Sequence, residues 1–217
     1  MLRLRFDSGN RPLRVLCLGA HSDDLEIGCA GTLLQWAQQR GARLEVTWVV
    51  LSAEGPRAVE ARRSARALLG RRVGLDIRVA EFSDGRFPAQ FDRLKEHFEQ
   101  LKASVHPDVI FTHALNDRHQ DHRLCAELTW QTWRDHLVLE YEIPKYEGDL
   151  GEMNLHIPLS RAVARRKVAH LLRHFGSQRS KAWFSEATFF GLMQLRAIEC
   201  RAPDGFAEAF RARKLVL

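Results

Sequence analysis

The chain has 217 residues, 45% of them apolar, which suits a single domain over residues 1–217 with a sizeable core. No apolar stretch approaches the roughly 20 residues of a bilayer span, so no membrane-spanning helix is expected. The net charge of +6, from 33 Lys and Arg against 27 Asp and Glu, is scattered along helical segments. It permits an anionic substrate but reads as a solvated Arg-rich surface, and no nucleic-acid partner is expected.

In chain order, Leu13 to Gly19 reads as a buried strand, and Ile27 to Arg40 as a helix starting near Glu26 and closed by Gly41. Leu44 to Leu51 is a β-branched strand, and Arg57 to Leu69 a helix ended by Gly70. Leu75 to Phe82 alternates like a half-exposed strand. A turn at Asp84-Gly85 precedes a helix from Ala89 to Val105, with Phe91, Leu94, Phe98 and Leu101 on one face. Val109 to Thr112 is a strand, Leu124 to Trp133 a helix, and Leu137 to Ile143 a strand. Lys145 to Pro158 has no period and reads as an ordered loop near the site. Helices follow from Leu159 to Phe175 and from Lys181 into the Arg196 region, and the 206–217 tail ends in a short strand. Strands alternating with helices predict an α/β, Rossmann-like, mostly parallel sheet covered on both faces. Gly19-Ala20-His21-Ser22-Asp23 is not GxGxxG, so a dinucleotide site is not supported. Cys17, Cys29, Cys125 and Cys200 lack CxxC spacing and read as reduced thiols. With no signal-peptide pattern in residues 1–6, a cytoplasmic location is expected.

Two clusters stand where strands end. His21, Asp23, Asp24 and Glu26 follow the first strand; Asn116 to Arg123 follows the fourth. Charges at such positions survive burial when paired or bound to a metal, and ligands of open α/β sheets gather at strand carboxyl ends. His21 and Asp24 can converge on one ion, and His122 can complete a set that leaves a position for water. Asp23 is then free to act as general base, and His119 to hold an oxyanion or protonate a leaving amine. Asp121 can orient His119 or His122. The blander reading makes Asp23 or Asp24 a helix cap and the His119/His122 pair surface residues. Coincidence of matching residue types at two strand ends favours the metal. Among the other histidines only His113 is kept as a pocket residue.

Ala20-His21-Ser22-Asp23-Asp24-Leu25-Glu26 resembles the AHPDDxE motif of the LmbE/PIG-L family of zinc-dependent N-deacetylases, and His119-Gln120-Asp121-His122 resembles its HxDH motif. Weaker likeness runs through Gly55, Leu69-Gly70 and Asp84-Gly85 to Phe206-Ala207-Glu208-Ala209-Phe210, similar to an AEAF ending. The resemblance implies Zn2+ on His21, Asp24 and His122, Asp23 as base, and His119 assisting the transition state. It implies hydrolysis of an N-acetyl group on a small amino-sugar conjugate. Ser22 replaces the usual Pro, and Asn116, Asp117 and Arg118 stand where some members have a Tyr. Arg57, with Glu60, is the candidate for substrate contact, and Arg62 or Arg63 are alternatives.

Three hypotheses follow. The first is a zinc amidase; the second keeps the metal but cleaves a phosphoester or a non-sugar amide, often with two metals. The third is a basic binding module, which leaves both clusters unexplained. Homo-oligomerisation is compatible with all three.

Overall fold

The computed structural model describes residues 6 and 8–216; the leader reading of residues 1–5 and the final residue of the tail lie outside it. Seven strands form one sheet in the order β3-β2-β1-β4-β5-β7-β6. They are β1 (Leu13–His21), β2 (Leu44–Ser52), β3 (Gly74–Val79), β4 (Val109–His113), β5 (Leu137–Tyr141), β6 (Leu155–Leu159) and β7 (Phe206–Ala212). The first five are parallel; β7 runs antiparallel to both β5 and β6. The α/β, mostly parallel, Rossmann-like architecture is therefore present.

Alternation along β1 divides the core. Val15 and Cys17 face one layer, while Leu16, Leu18 and Ala20 face the other. The first layer receives α2 (Ala30–Arg40), α3 (Gly55–Leu69), α6 (Arg161–His174) and α7 (Glu186–Cys200). The second receives α4 (Phe91–Ser104) and α5 (Gln120–Thr132) through Leu94, Phe98, Leu101, Leu124 and Leu128. Among the described residues no helix is long and apolar enough to cross a membrane.

The helix expected from Glu26 to Arg40 is in fact two: α1 (Asp24–Gly28) and α2, separated at Cys29 (φ −142°, ψ 6°). The break serves close packing, since a Cβ on Gly28 would sit 2.3 Å from Cδ2 of the buried Tyr141. It also gives α2 its own N-terminus, where Gly31 N and Thr32 N donate to the Glu208 carboxylate at 2.8 and 2.7 Å. Lys167 Nζ completes this buried cluster, 2.6 Å from Glu208 Oε1. Glu208→Ala would leave the buried Lys167 ammonium with Ile27 O but no counter-ion, and two helix donors unpaired, and is expected to cost about 3–5 kcal/mol. Denaturant unfolding checks this; Glu208→Ala with Lys167→Met should recover part of the loss.

Other boundaries moved for identifiable reasons. Phe91 is not on the buried face of α4 but 42% exposed; it opens the helix after a 3-10 turn (Phe87–Gln90), and Phe87 fills the core in its place. The strand expected to reach Phe82 stops at Val79. There the chain folds over the end of β2, with Ala80 N on Val50 O and Phe82 N on Leu51 O. Lys145 to Pro158 is not all loop, because its end forms β6, paired with β7 from Leu155↔Phe210 to Leu159↔Phe206. Pro158 is tolerated because β6 is the edge strand. The last helix starts at Glu186 rather than near Lys181, because Ser185 Oγ caps it by accepting from Thr188 N.

Candidate metal centre

The chain leaves β1 for α1, passes through β2 and β3 on one side, then crosses to β4 on the other. The gap between the carboxyl ends of β1 and β4 is thus the switch point of the sheet, where ligands bind in such folds. His21 ends β1, and His113 ends β4. His119, Asp121 and His122 follow at the start of α5, which begins four residues earlier than its apolar pattern suggests. Its cap is His119 itself, whose Nδ1 accepts from Asp121 N at 3.3 Å.

His21 Nδ1 lies 3.1 Å from His122 Nε2 and 3.4 Å from Asp24 Oδ2, and His122 Nε2 lies 3.6 Å from Asp24 Oδ1. Three groups of potential donors, each within 4.8 Å, share these residues: His21/His119/His122, Asp24/His113/His122 and, on the Nε2 side of His21, His21/Asp84/Asp121. The remote nitrogen of each imidazole is taken by acids. His122 Nδ1 is 3.0 Å from Asp117 Oδ2; His21 Nε2 is 3.0 Å from Asp84 Oδ1 and 3.3 Å from Asp121 Oδ2. With the ring protons turned to those acids on the far sides, Nδ1 of His21 and Nε2 of His122 would face each other as free nitrogens. Two lone pairs at that separation repel unless a cation lies between them. A proton can serve, and so can a metal ion, which takes neutral imidazole and carboxylate ligands. The spacings of 3.1–3.6 Å match the ~3.3 Å edge of a tetrahedron with zinc–nitrogen bonds of about 2.0–2.1 Å. The residues fit a metal.

The electrostatics follow from this packing. Burial disfavours the His21 imidazolium, but Asp24, Asp121 and Asp84 outweigh it and hold its pKa well above the ordinary range. Burial likewise opposes ionised Asp24, and His122, His113 and His21 overcome it, keeping Asp24 well below the usual carboxylate value. Burial and the His113 ring push His122 down to about 4, and the hydrogen bond from His21 brings Asp84 to about 2. Asp23 is the opposite case: burial and the neighbouring Asp24 raise it, against the opposing Arg57.

Asp23 stands at the N-cap of α1, but its side chain makes no cap hydrogen bond. Its Oδ1 accepts from Arg57 Nη2 at 3.2 Å. Arg57 also donates to Ser22 Oγ at 3.1 Å and to Asp84 Oδ2 at 3.4 Å, so the hydroxyl standing in the proline position holds the guanidinium. Arg62 instead reaches Ile77 O, and Glu60 accepts from Ser177, both away from the cluster. Asp121 differs from expectation in its partners. Its carboxylate accepts from Gly85 N (2.6 Å) and Phe87 N (3.0 Å) and faces His21, whereas His122 is oriented by Asp117. His113 stacks on His122 with ring centroids 3.9 Å apart and reaches Asp24 Oδ2 at 3.1 Å.

Asp84 and Asp117 are the site residues that sequence reasoning missed. In sequence Asp84 reads as a turn residue and Asp117 as one of the residues standing in place of a Tyr. Asp117 stands two residues before His119, Asp84 is distant from both motif-like stretches, and nothing in the sequence says which imidazole either acid faces.

Fold and site define an α/β protein with a candidate His/Asp metal centre at its switch point. The chain belongs to the PIG-L family, described as GlcNAc-PI de-N-acetylase, whose family model matches residues 16–133. It is 28% identical over 147 residues to the uncharacterised deacetylase YaiS of Escherichia coli (strain K12), covering 63% of this chain and 77% of that protein. The fold is shared with N,N'-diacetylchitobiose deacetylase of Pyrococcus horikoshii (TM-score 0.69, 17% identity, 92% and 83% of the two chains). It is shared equally with the 4-carboxy-2-hydroxymuconate hydratase GalB of Pseudomonas putida KT2440 (TM-score 0.75, 17% identity, 94% and 98% covered). A deacetylase and a hydratase on one scaffold mean that architecture alone does not decide the reaction.

Proposed function

We propose that the protein is a zinc-dependent hydrolase that removes the N-acetyl group of an N-acetylamino-sugar conjugate. One observation carries the reading: two imidazoles and Asp24 converge on a point beside the buried Asp23, and each imidazole is fixed from behind by carboxylates. His21, Asp24 and His122 would hold the ion. Zinc bound there supplies a Lewis acid for the amide carbonyl and lowers the pKa of water to about 7.

The chain's own groups supply the proton transfers. Arg57 engages Asp23 Oδ1, which leaves Oδ2 to accept a proton from the attacking water. Burial raises the basicity of that carboxylate toward the range useful for general-base work. His119 Nδ1 accepts from Asp121 N, so its neutral ring carries the proton on Nε2. That N–H donates a hydrogen bond to the developing oxyanion, and the proton taken up by Asp23 passes to the departing amine. Arg57, half-buried beside Asp23, would contact the substrate, a reading supported by its ion pair with the proposed base.

The test is acetate release from N-acetylglucosamine conjugates by zinc-loaded and chelator-stripped protein, beside phosphate release from a phosphoester of the same sugar. Zinc-dependent acetate release is expected. Phosphate without acetate would replace the amidase by the phosphoesterase reading.

A further inference from the structure

Lys145, four residues past β5, extends an aliphatic stem into a place where its side chain is only 8% exposed. Its ammonium meets three carboxylate oxygens: Asp149 Oδ1 and Oδ2 at 2.6 and 2.7 Å, and Asp117 Oδ2 at 3.1 Å. An ammonium has three protons, so its donor capacity is filled. Asp149 Oδ2 also accepts from Arg118 N at 2.6 Å, and Asp117 Oδ1 from His119 N at 2.8 Å. A closed ring of contacts thereby staples the turn before α5 to the loop after β5. The same Asp117 oxygen that meets Lys145 takes His122 Nδ1.

We propose that Lys145 is a positioning residue of the metal centre: it clamps Asp117, and Asp117 sets the His122 ring for metal binding. The proposal rests on the metal-site reading above. Without the ammonium, Asp117 and Asp149 would share a buried space with no cation between them. Like-charge repulsion would then turn Asp117 away from His122. The free ring would sample orientations that do not point Nε2 at His21 and Asp24. The neighbouring guanidinium groups are committed to backbone oxygens, Arg211 to Glu152 O at 3.0–3.3 Å and Arg123 to Asp117 O and Arg118 O at 3.3 and 3.4 Å. The clamp lies outside both sequence motifs, on a stretch with no periodic signal of its own.

The test uses Lys145→Met, which keeps the stem and removes the charge, and Lys145→Arg, which keeps the charge. Zinc affinity is measured by competition with a chromogenic chelator, and ligand geometry by the visible spectrum of the cobalt-loaded protein. Lys145→Met is expected to bind zinc about 10- to 100-fold more weakly and to show a shifted cobalt spectrum, with Lys145→Arg recovering most of the affinity. Lys145→Gln serves the same comparison should Lys145→Met fail to fold. Unchanged affinity and spectrum in the charge-removing variant, with normal wild-type binding, would overturn the role of Lys145 alone. A wild type that binds neither zinc nor cobalt would overturn the metal-site reading and this proposal with it.

Discussion

Asp23→Asn is expected to lower kcat for acetate release by about 10²- to 10⁴-fold while leaving metal content unchanged. The substitution is isosteric, retains an oxygen for Arg57 and removes the group that accepts the proton. Arg57 keeps its second anchor on Asp84 and its bond to Ser22, so the mouth of the site should hold its shape. Steady-state kinetics with elemental analysis on the same preparation checks both halves. Activity equal to wild type would remove Asp23 from the role of base, and a parallel loss of metal would make it a structural neighbour of the ligands instead.

Asp121→Ala should be the most destabilising single change in the cluster. The carboxylate is fully buried, and it takes the backbone N–H groups of Gly85 and Phe87 while facing His21 Nε2. Losing two hydrogen bonds to a charged group, at about 1.5–3 kcal/mol each, points to a loss of about 3–6 kcal/mol. The loop that carries Asp84 to His21 would loosen as well, so zinc binding should weaken in the same variant. Asp121→Asn, whose amide oxygen still accepts, should lose less stability. Urea unfolding of the two variants separates these contributions, and equal stability of both with wild type would contradict the account.

The parts of this molecule legible in sequence are those whose signal is local. The apolar runs of β1, β2 and β4 and the glycines after α2 and α3 mark their elements directly. Residue types at two strand ends mark His21, Asp24 and His122 as candidates, and these meet because β4 lies parallel beside β1 in the strand order. What was not legible depends on partners far along the chain. The split between α1 and α2 is made by Tyr141 against Gly28 and by Glu208 at the new helix end. β6 exists only because β7 pairs with it, and its edge position excuses Pro158. The acids behind the imidazoles follow the same rule: Asp84 reaches His21 only because the chain folds back over β2, and Lys145 reaches Asp117 across the β5–β6 loop. A turn-forming Asp-Gly is the same in sequence whether or not its carboxylate ends on an imidazole.

The central claim is that His21, Asp24 and His122 hold one catalytic ion. The most direct measurement is elemental metal content of protein purified without added metal, wild type beside His122→Ala. The account predicts about one zinc per chain in the wild type and a loss of it in the variant. Two ions per chain, or one ion retained undiminished in His122→Ala, would contradict it.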